Sequence, residues 1–217
     1  MMEYKLIRSR RKTVTLRVLP GGVLEVRAPL RLPRREIDRI VGRHADWAQR
    51  AIAAAPPVPS PLREGALLPF LGKEYPIALR EGEPAGIREG KFCLPLPRSA
   101  GEKEIKDAAE KFYRAAAREL LPPKLERYAA LFGTDWTGLR ITSARTRWGS
   151  CSAKGSVNFS WRLMAAPEEC IDYVAAHELC HRLHFDHSPA FYSALSGVIP
   201  DWQNRKELLR KSRRLCW

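Results

Sequence analysis

Alternating apolar positions dominate the first thirty residues of the chain. Val14, Leu16 and Val18 share one face of an extended segment, and the alternation resumes at Val23 after a Pro-Gly-Gly turn at residues 20–22. Two alternating runs joined by a glycine-rich turn are typical of a β-hairpin. The sequence therefore predicts an antiparallel sheet near the N-terminus.

The periodicity then changes from strand-like to helical. Apolar residues recur at helical spacing over residues 34–55, which predicts one amphipathic helix, and the proline-rich segment 56–61 predicts a stiff connector after it. Residues 67–97 return to short strand-like runs separated by glycines. A long helical pattern follows over residues 102–132, and we expect Pro122 and Pro123 to break it in two.

The last third of the chain contains a short sheet and then helices. Residues 139–163 have a strand-like pattern with a turn at Lys154 and Gly155, and the pattern from Pro167 onward is helical. The predicted fold class is α+β. An antiparallel β-rich region with a helix occupies residues 1–100, and a mainly helical region with a short sheet occupies residues 101–217.

Four of the five histidines lie within residues 177–187, where His177 and His181 bracket an H-E-x-x-H motif. Residues four apart on a helix are about 40° apart, so two imidazoles at this spacing can converge on one metal ion. Glu178 is offset by about 100° and can take a proton from a water activated by the metal. The motif also arises by chance on solvated helix faces, but the apolar helix around it favours a zinc site.

Two residues compete to be the third metal ligand. On a straight helix, His184 would lie about 10 Å along the axis from His177, too far for one ion. The chain must therefore turn back, and Ser188 followed by Pro189 resembles an N-cap with a proline at the first helical position. This geometry favours His187 over His184.

Composition limits the environment and the partners. The formal charge of +14, from 38 Lys and Arg against 24 Asp and Glu, favours weak, non-specific nucleic-acid binding, although many basic proteins bind none. The five cysteines include no C-x-x-C pair, which argues against a disulfide framework and for a reducing compartment. No apolar run is long enough to span a membrane. We expect a soluble, cytoplasmic protein.

Three blocks of sequence together resemble the YgjP-like metallopeptidase family, whose relatives are the SprT-like and WLM zinc proteases. The blocks are Arg147–Ser152 with Trp161–Leu163, Asp172–His181 with His187–Tyr192, and Arg8–Val14 with Gly22–Val26. The resemblance implies a zincin-like catalytic half preceded by a β-rich half. It also implies Zn²⁺ as cofactor, with His177, His181 and His187 as ligands and Glu178 as the catalytic glutamate.

The segment before the metal helix supplies candidate substrate contacts. A strand beside a zinc site can pair with an extended substrate, so Arg147 and Ser150 are candidates for binding it. The alternative is a packed aromatic residue at Trp148 and a tight turn at Gly149. Tyr192 and Arg147 are candidates for stabilising an oxyanion.

Three functions remain open from the sequence. The first is a zinc metallopeptidase that uses Glu178 and acts on a protein or peptide substrate. The second is a metal-dependent nucleotide phosphohydrolase (a pyrophosphatase), for which the positive charge would attract an anionic substrate. The third is a non-enzymatic, basic nucleic-acid-binding module with a structural zinc. That site would need Cys180 or His184 as a fourth ligand and would leave Glu178 without a role.

Overall fold

The structure, a computed structural model, describes residues 2–55 and 61–212. The chain divides into two compact units, Met1–Ser60 and Pro61–Trp217. The proline-rich connector predicted at residues 56–61 lies outside the described residues except for Pro61. The unit that contains the histidines thus begins well before residue 100, because the apolar strands between residues 67 and 94 share its core.

The smaller unit contains a three-stranded sheet in the order β1-β3-β2. Its strands are β1 (Lys5–Ser9), β2 (Thr15–Val18) and β3 (Leu24–Pro29). Strands β2 and β3 pair antiparallel, which confirms the predicted hairpin, whereas β1 pairs parallel with β3. The N-terminal sheet is therefore mixed rather than purely antiparallel.

Two helices cover this sheet where the sequence predicted one. Helix α1 (Arg34–Arg43) and helix α2 (Ala45–Ala53) are separated at His44, whose φ of −109° and ψ of 17° interrupt the helical backbone. The break lets apolar residues of both helices enter one core, which consists of Leu24, Val26, Ala28, Ile37, Val41 and Ala48.

The larger unit begins with a four-stranded sheet in the order β4-β5-β7-β6. Its strands are β4 (Leu67–Phe70), β5 (Lys73–Leu79), β6 (Gly86–Arg88) and β7 (Lys91–Leu94). The strand-like runs predicted β4, β5 and β7, but not β6. At the β4–β5 turn, the Leu71 N–H donates to the Met164 carbonyl at 2.9 Å. A Cβ at Gly72, where φ is 80°, would lie 2.9 Å from Pro167. The turn therefore packs closely against the segment that begins the metal-motif helix.

Helix α3 (Glu102–Phe132) is continuous for 31 residues, so the expected break at Pro122 and Pro123 is wrong. The two prolines free the carbonyls of Arg118 and Glu119, and both of these residues are exposed, so water can satisfy the carbonyls. Buried leucines on either side of the pair, Leu121 and Leu125, hold both halves in the core.

A second sheet and three further helices complete the larger unit. The sheet has the order β8-β10-β9, with β8 (Gly138–Thr142), β9 (Gly149–Cys151) and β10 (Ser156–Ser160), followed by a 3₁₀ helix (Trp161–Ala165). The helices are α4 (Glu168–Cys180), α5 (Pro189–Val198) and α6 (Trp202–Ser212). The fold is thus α+β, with a β-rich N-terminal part and a mainly helical C-terminal part.

Within residues 2–55 and 61–212, no helix is both long and apolar enough to cross a lipid bilayer.

Candidate functional site

Helix α4 carries the H-E-x-x-H motif through the core of the larger unit. Acidic residues in its first turn favour the positive end of the helix dipole, and Lys124 of α3 ties that turn down through Glu168 (2.9 Å) and Asp172 (3.0 Å). The helix ends at Cys180, one residue before His181, which remains in the αR region. The i, i+4 relation is therefore kept, and the ring centroids of His177 and His181 lie 5.0 Å apart.

The chain turns back after His181 and brings a third histidine to the pair. Ser188 is the N-cap of α5, its hydroxyl accepting from the Phe191 N–H, and Pro189 begins the helix, which confirms the predicted turn. One ligand nitrogen from each of His177, His181 and His187 lies within 4.8 Å of the other two. Three imidazoles at this spacing fit a single tetrahedral metal ion that keeps one position open.

His184 takes part through its backbone instead of its side chain. Its carbonyl oxygen lies 3.1 Å from His181 Nδ1. A proton on Nδ1 that is donated to this carbonyl leaves His181 Nε2 as a free acceptor, the tautomer that a metal ligand needs. The imidazole of His184 is not part of the three-histidine group.

Arg182 holds the turn between the second and third histidines. Its guanidinium donates to the backbone carbonyls of Asp135 and Ala153 and to the Asp135 carboxylate, the last at 2.7 Å. These bonds tie the turn to the segment before β8 and to the connection between β9 and β10, and no local pattern around Arg182 indicated them. Arg182 therefore restrains the path that brings His187 back.

Burial keeps the histidine site in the protonation state that metal binding requires. Burial and, to a smaller extent, the neighbouring His181 and His187 together lower the pKa of His177 to about 3. Burial also lowers the pKa of His181. Both rings are consequently neutral near pH 7 and can offer a nitrogen lone pair to a cation.

Phe191 packs against all three histidines. Its ring centroid lies 5.0 Å from that of His177, 4.8 Å from that of His181 and 4.9 Å from that of His187. Its side chain is fully buried. The ring of Tyr173 lies on another side of His177, at 5.7 Å. Packing against aromatic rings thus helps to fix the imidazole orientations. In the sequence, Phe191 stood out only as part of the block His187–Tyr192.

Glu178 is a buried carboxyl group beside the three histidines. It is only 6% exposed, and burial raises its pKa to about 8, against the opposing effects of Arg147 and of the Cys151 backbone N–H. A Cβ at Gly149 would lie 2.6 Å from Glu178 Oε1, so this position has room only for glycine. Gly149 is the first residue of β9, where it pairs with Phe159 of β10, so the alternative of a tight turn there is wrong.

A cleft of about 360 Å³ opens beside Glu178 and His177. Basic side chains of Arg147, Lys206 and Arg210 line it, together with Tyr173, and Glu178 is its only carboxylate among the described residues. Sequence analysis missed the contribution of α6, because the basic residues near the C-terminus had no visible relation to the metal motif.

Of the three predicted substrate contacts, only Arg147 lines the cleft. Ser150 lines a second pocket of about 250 Å³, which Arg147 also lines. The Ser150 hydroxyl accepts from Asn158 Nδ2 at 3.2 Å. Tyr192 stacks on Trp202 at 4.7 Å and lies 6.2 Å from the His187 ring. Tyr173 lines the cleft instead, and burial raises its pKa to about 12, so its hydroxyl stays protonated.

The fold and site define a class: a buried H-E-x-x-H helix, a third histidine after a turn and a cleft beside the glutamate are features of a metallopeptidase domain. A model of the YgjP-like metallopeptidase domain matches residues 12–212, and the chain belongs to this family. No curated protein matches the chain.

One solved structure shows a partial likeness. The crystal structure of the metallopeptidase zymogen abylysin of Pyrococcus abyssi is 24% identical to this chain, with a TM-score of 0.36. The match covers 41% of this chain and 87% of that one.

Proposed function

We propose that the protein is a zinc metallopeptidase that hydrolyses peptide bonds with Glu178 as its general base. One observation carries this proposal: three imidazoles whose ligand nitrogens lie within 4.8 Å of one another are next to a buried carboxyl group that lines a cleft. Membership in a metallopeptidase family supports it. The donor set, three nitrogen ligands with no fourth ligand among the described residues, fits a catalytic zinc.

His177, His181 and His187 would hold the ion, which when bound supplies Lewis-acid polarisation of water and of the substrate carbonyl. Glu178 in its ionised form would accept the proton of the attacking water and return it to the leaving nitrogen. Burial favours the protonated form, with a pKa of about 8, and a cation bound beside the carboxyl group would favour the ionised form. Arg147 and the Cys151 N–H favour the ionised form of this carboxyl group and oppose the effect of its burial. Gly149 leaves the space in which the carboxyl group lies.

The cleft also suggests how a peptide would bind. Strand β9 is an edge strand of its sheet among the described strands, and an extended peptide can add to such an edge through main-chain hydrogen bonds. Tyr173 is a protonated hydroxyl at neutral pH, and Arg147 is a cation in the same cleft. We propose these two residues, in place of Tyr192, as donors to the developing oxyanion.

A second candidate function rests on the charge of the cleft. Arg147, Lys206 and Arg210 put three cations beside the metal site, which suits the phosphates of a nucleotide as well as an acidic peptide. A nucleotide phosphohydrolase would use the same histidines and the same glutamate. Carbonyl attack is favoured because the site offers one three-histidine centre and no acidic cluster for a second metal among the described residues.

The non-enzymatic alternative has weaker support. A structural zinc usually takes a fourth protein ligand. Cys180 is fully buried, with its thiol directed at the Phe191 carbonyl at 3.5 Å, and the His184 imidazole lies outside the three-histidine group. An open fourth position beside Glu178 suits a catalytic role.

We also propose a cytoplasmic location and a weak, non-specific affinity for nucleic acid. Four cysteines, Cys93, Cys151, Cys170 and Cys180, are free thiols, which supports a reducing compartment. The formal charge of +14 supports attraction to polyanions.

A parallel substrate screen tests the reaction class. Zinc-loaded protein is incubated with unfolded protein and, separately, with a panel of nucleoside triphosphates, and a chelator-treated sample is the control. We expect metal-dependent release of new peptide termini. Metal-dependent release of pyrophosphate or phosphate, with no proteolysis in any condition, would replace the peptidase by the nucleotide hydrolase.

A further inference from the structure

The positive charge of the protein is concentrated in the smaller unit. Residues 1–60 contain 13 Lys and Arg against five Asp and Glu, a formal charge of +8 out of the total of +14. Twelve of these basic residues are exposed, but only three of the acidic ones are. A unit with so little compensating acidic surface attracts polyanions from solution.

Helix α1 arranges part of this charge in a row. Arg35, Arg39 and Arg43 are spaced i, i+4 and i+8, so they succeed one another on one face at intervals of about 6 Å. Arg39 lies two residues from each of the buried Ile37 and Val41, about 160° around the helix. The row therefore points away from the core of the unit, and all three side chains are exposed.

Repulsion within the row opposes the stability of the helix, although Arg43, in the last turn, lies where the helix dipole favours a cation. Like charges at i, i+4 repel one another, and Arg35 lies in the first turn, where the helix dipole disfavours a cation. Its neighbour Arg34 has a structural role, since it pairs with Asp38 at 3.4 Å and lies over the Tyr4 ring. No hydrogen bond or ion pair joins Arg35, Arg39 or Arg43 to another residue of the described segments. Three exposed cations of like charge without a partner in these segments suggest a partner outside the chain.

An exposed aromatic residue follows the row. Trp47 comes four residues after Arg43, in the first turn of α2, and its side chain is 43% exposed. Cations that track a phosphate backbone, combined with an aromatic ring that can stack on a base, are the usual elements of single-strand binding. A duplex keeps its bases stacked on one another and could use only the cations.

We propose that α1 and the start of α2 bind single-stranded nucleic acid, with Arg35, Arg39 and Arg43 contacting successive phosphates and Trp47 stacking on a base. The spacing of the arginines is close to the separation of consecutive phosphates along an extended strand. This surface requires neither the metal nor Glu178, so it is independent of the reaction proposed above.

Fluorescence anisotropy of the full-length protein with labelled oligonucleotides of about twenty nucleotides tests the arginine row. The triple variant Arg35→Ala, Arg39→Ala, Arg43→Ala is compared with Lys103→Ala, Lys111→Ala, Arg118→Ala. The control removes the same charge from exposed positions of α3 that have no described partner. We expect the first variant to lose on the order of 10-fold or more in affinity, and its salt dependence to weaken by about 0.7 per lost phosphate contact. The control should change little.

A loss of affinity in the arginine variant should not result from unfolding. Alanine is the best helix former and relieves the repulsion along the row, so the arginine variant should keep or raise its Tm. An equal loss of affinity in both triple variants would show that only total charge matters. Absence of binding to any strand at low salt would also overturn the proposal.

Trp47→Ala tests the single-strand preference. We expect it to weaken binding of single-stranded DNA or RNA on the order of 10-fold and to leave duplex binding nearly unchanged. The single-stranded DNA and RNA arms show which strand is preferred, and either preference supports the proposal. Tighter binding of duplex than of either single strand, or no effect of Trp47→Ala, would contradict it.

Discussion

Glu178 and Gly149 depend on each other. The carboxyl group lies against β9, where any side chain in place of Gly149 would begin 2.6 Å from Glu178 Oε1. Neither residue is a proposed metal ligand, so the contact between them affects proton transfer by Glu178 and not metal binding. A change at Gly149 should therefore affect turnover separately from metal binding.

Gly149→Ala should retain the metal and lose activity. The new methyl group must displace either β9 or the carboxylate, and a displacement of about 1 Å can cost about 100-fold in rate. Gly138→Ala on β8 is the matched control, because nothing lies within 4 Å of the position that its Cβ would take. Metal content and turnover are measured on both variants, and wild-type activity in Gly149→Ala would refute the close approach.

His184 and His187 should differ sharply in their effects on metal affinity. His187→Ala removes a proposed ligand, and the loss should exceed the roughly 10- to 100-fold that outer-shell changes cost. His184→Ala should have a small effect, because the carbonyl that contacts His181 remains. Chelator competition on both variants measures the difference, and the reverse order would make His184 the ligand.

Among single residues, the sequence predicts those whose positions follow from local spacing along the chain. The i, i+4 histidines and the Ser188–Pro189 turn follow from helix geometry, and the structure brings His187 to the pair as that geometry requires. Gly149, Tyr173 and Lys206 line the cleft through contacts distant in sequence. A glycine before a strand is equally compatible with a turn, so only the fold identifies its partner.

Apolar periodicity predicted the helices correctly but did not predict whether each helix is continuous or broken. Continuous periodicity over residues 34–55 conceals the break at His44, because both helices turn their apolar faces to one sheet. At the prolines of α3 the error is the opposite, because a break was predicted and the helix is continuous. A helix can continue past prolines where the carbonyls that lose their hydrogen bonds face water. The sequence thus predicted that these segments are helical. Whether each helix is broken depends on the environment of individual backbone groups, which the sequence pattern does not show.

Helix α5 should control the metal site through Phe191. Phe191→Leu removes a ring that contacts all three histidines and should lower metal affinity as well as stability. Phe92→Leu, at an equally buried position in β7, is the control. We expect each to cost roughly 1–2 kcal/mol in the metal-free protein. Only the first should weaken metal binding, as measured by thermal unfolding with and without zinc, and equal metal affinities would contradict a role for Phe191.

The proposed metal site and the proposed nucleic-acid-binding surface lie in different compact units. All three histidines, Glu178 and the cations of the cleft belong to the unit Pro61–Trp217, whereas the arginine row of α1 belongs to Met1–Ser60. The boundary could not be found from strand content alone, since β4–β7 look like a continuation of the N-terminal strands. Their side chains instead join the core around α3.

Residues 61–217 should bind the metal as tightly as the full chain. Each described contact of the three histidine rings lies within this part, including those from Tyr173, Phe191 and the His184 carbonyl. Calorimetric titration of zinc into the shortened and full-length proteins measures both affinities. A large loss in the shortened protein would mean that the smaller unit supports the site.

Metal binding by the three histidines and proton transfer by Glu178 should be separable in one variant. The most direct measurement is zinc content and peptide hydrolysis on the same samples of wild type and Glu178→Gln. The amide preserves the shape of the side chain but cannot accept a proton. We predict about one zinc per chain in both proteins and hydrolysis only in the wild type. A Glu178→Gln protein that retains full activity, or a wild type that hydrolyses its substrate without metal, would contradict this mechanism.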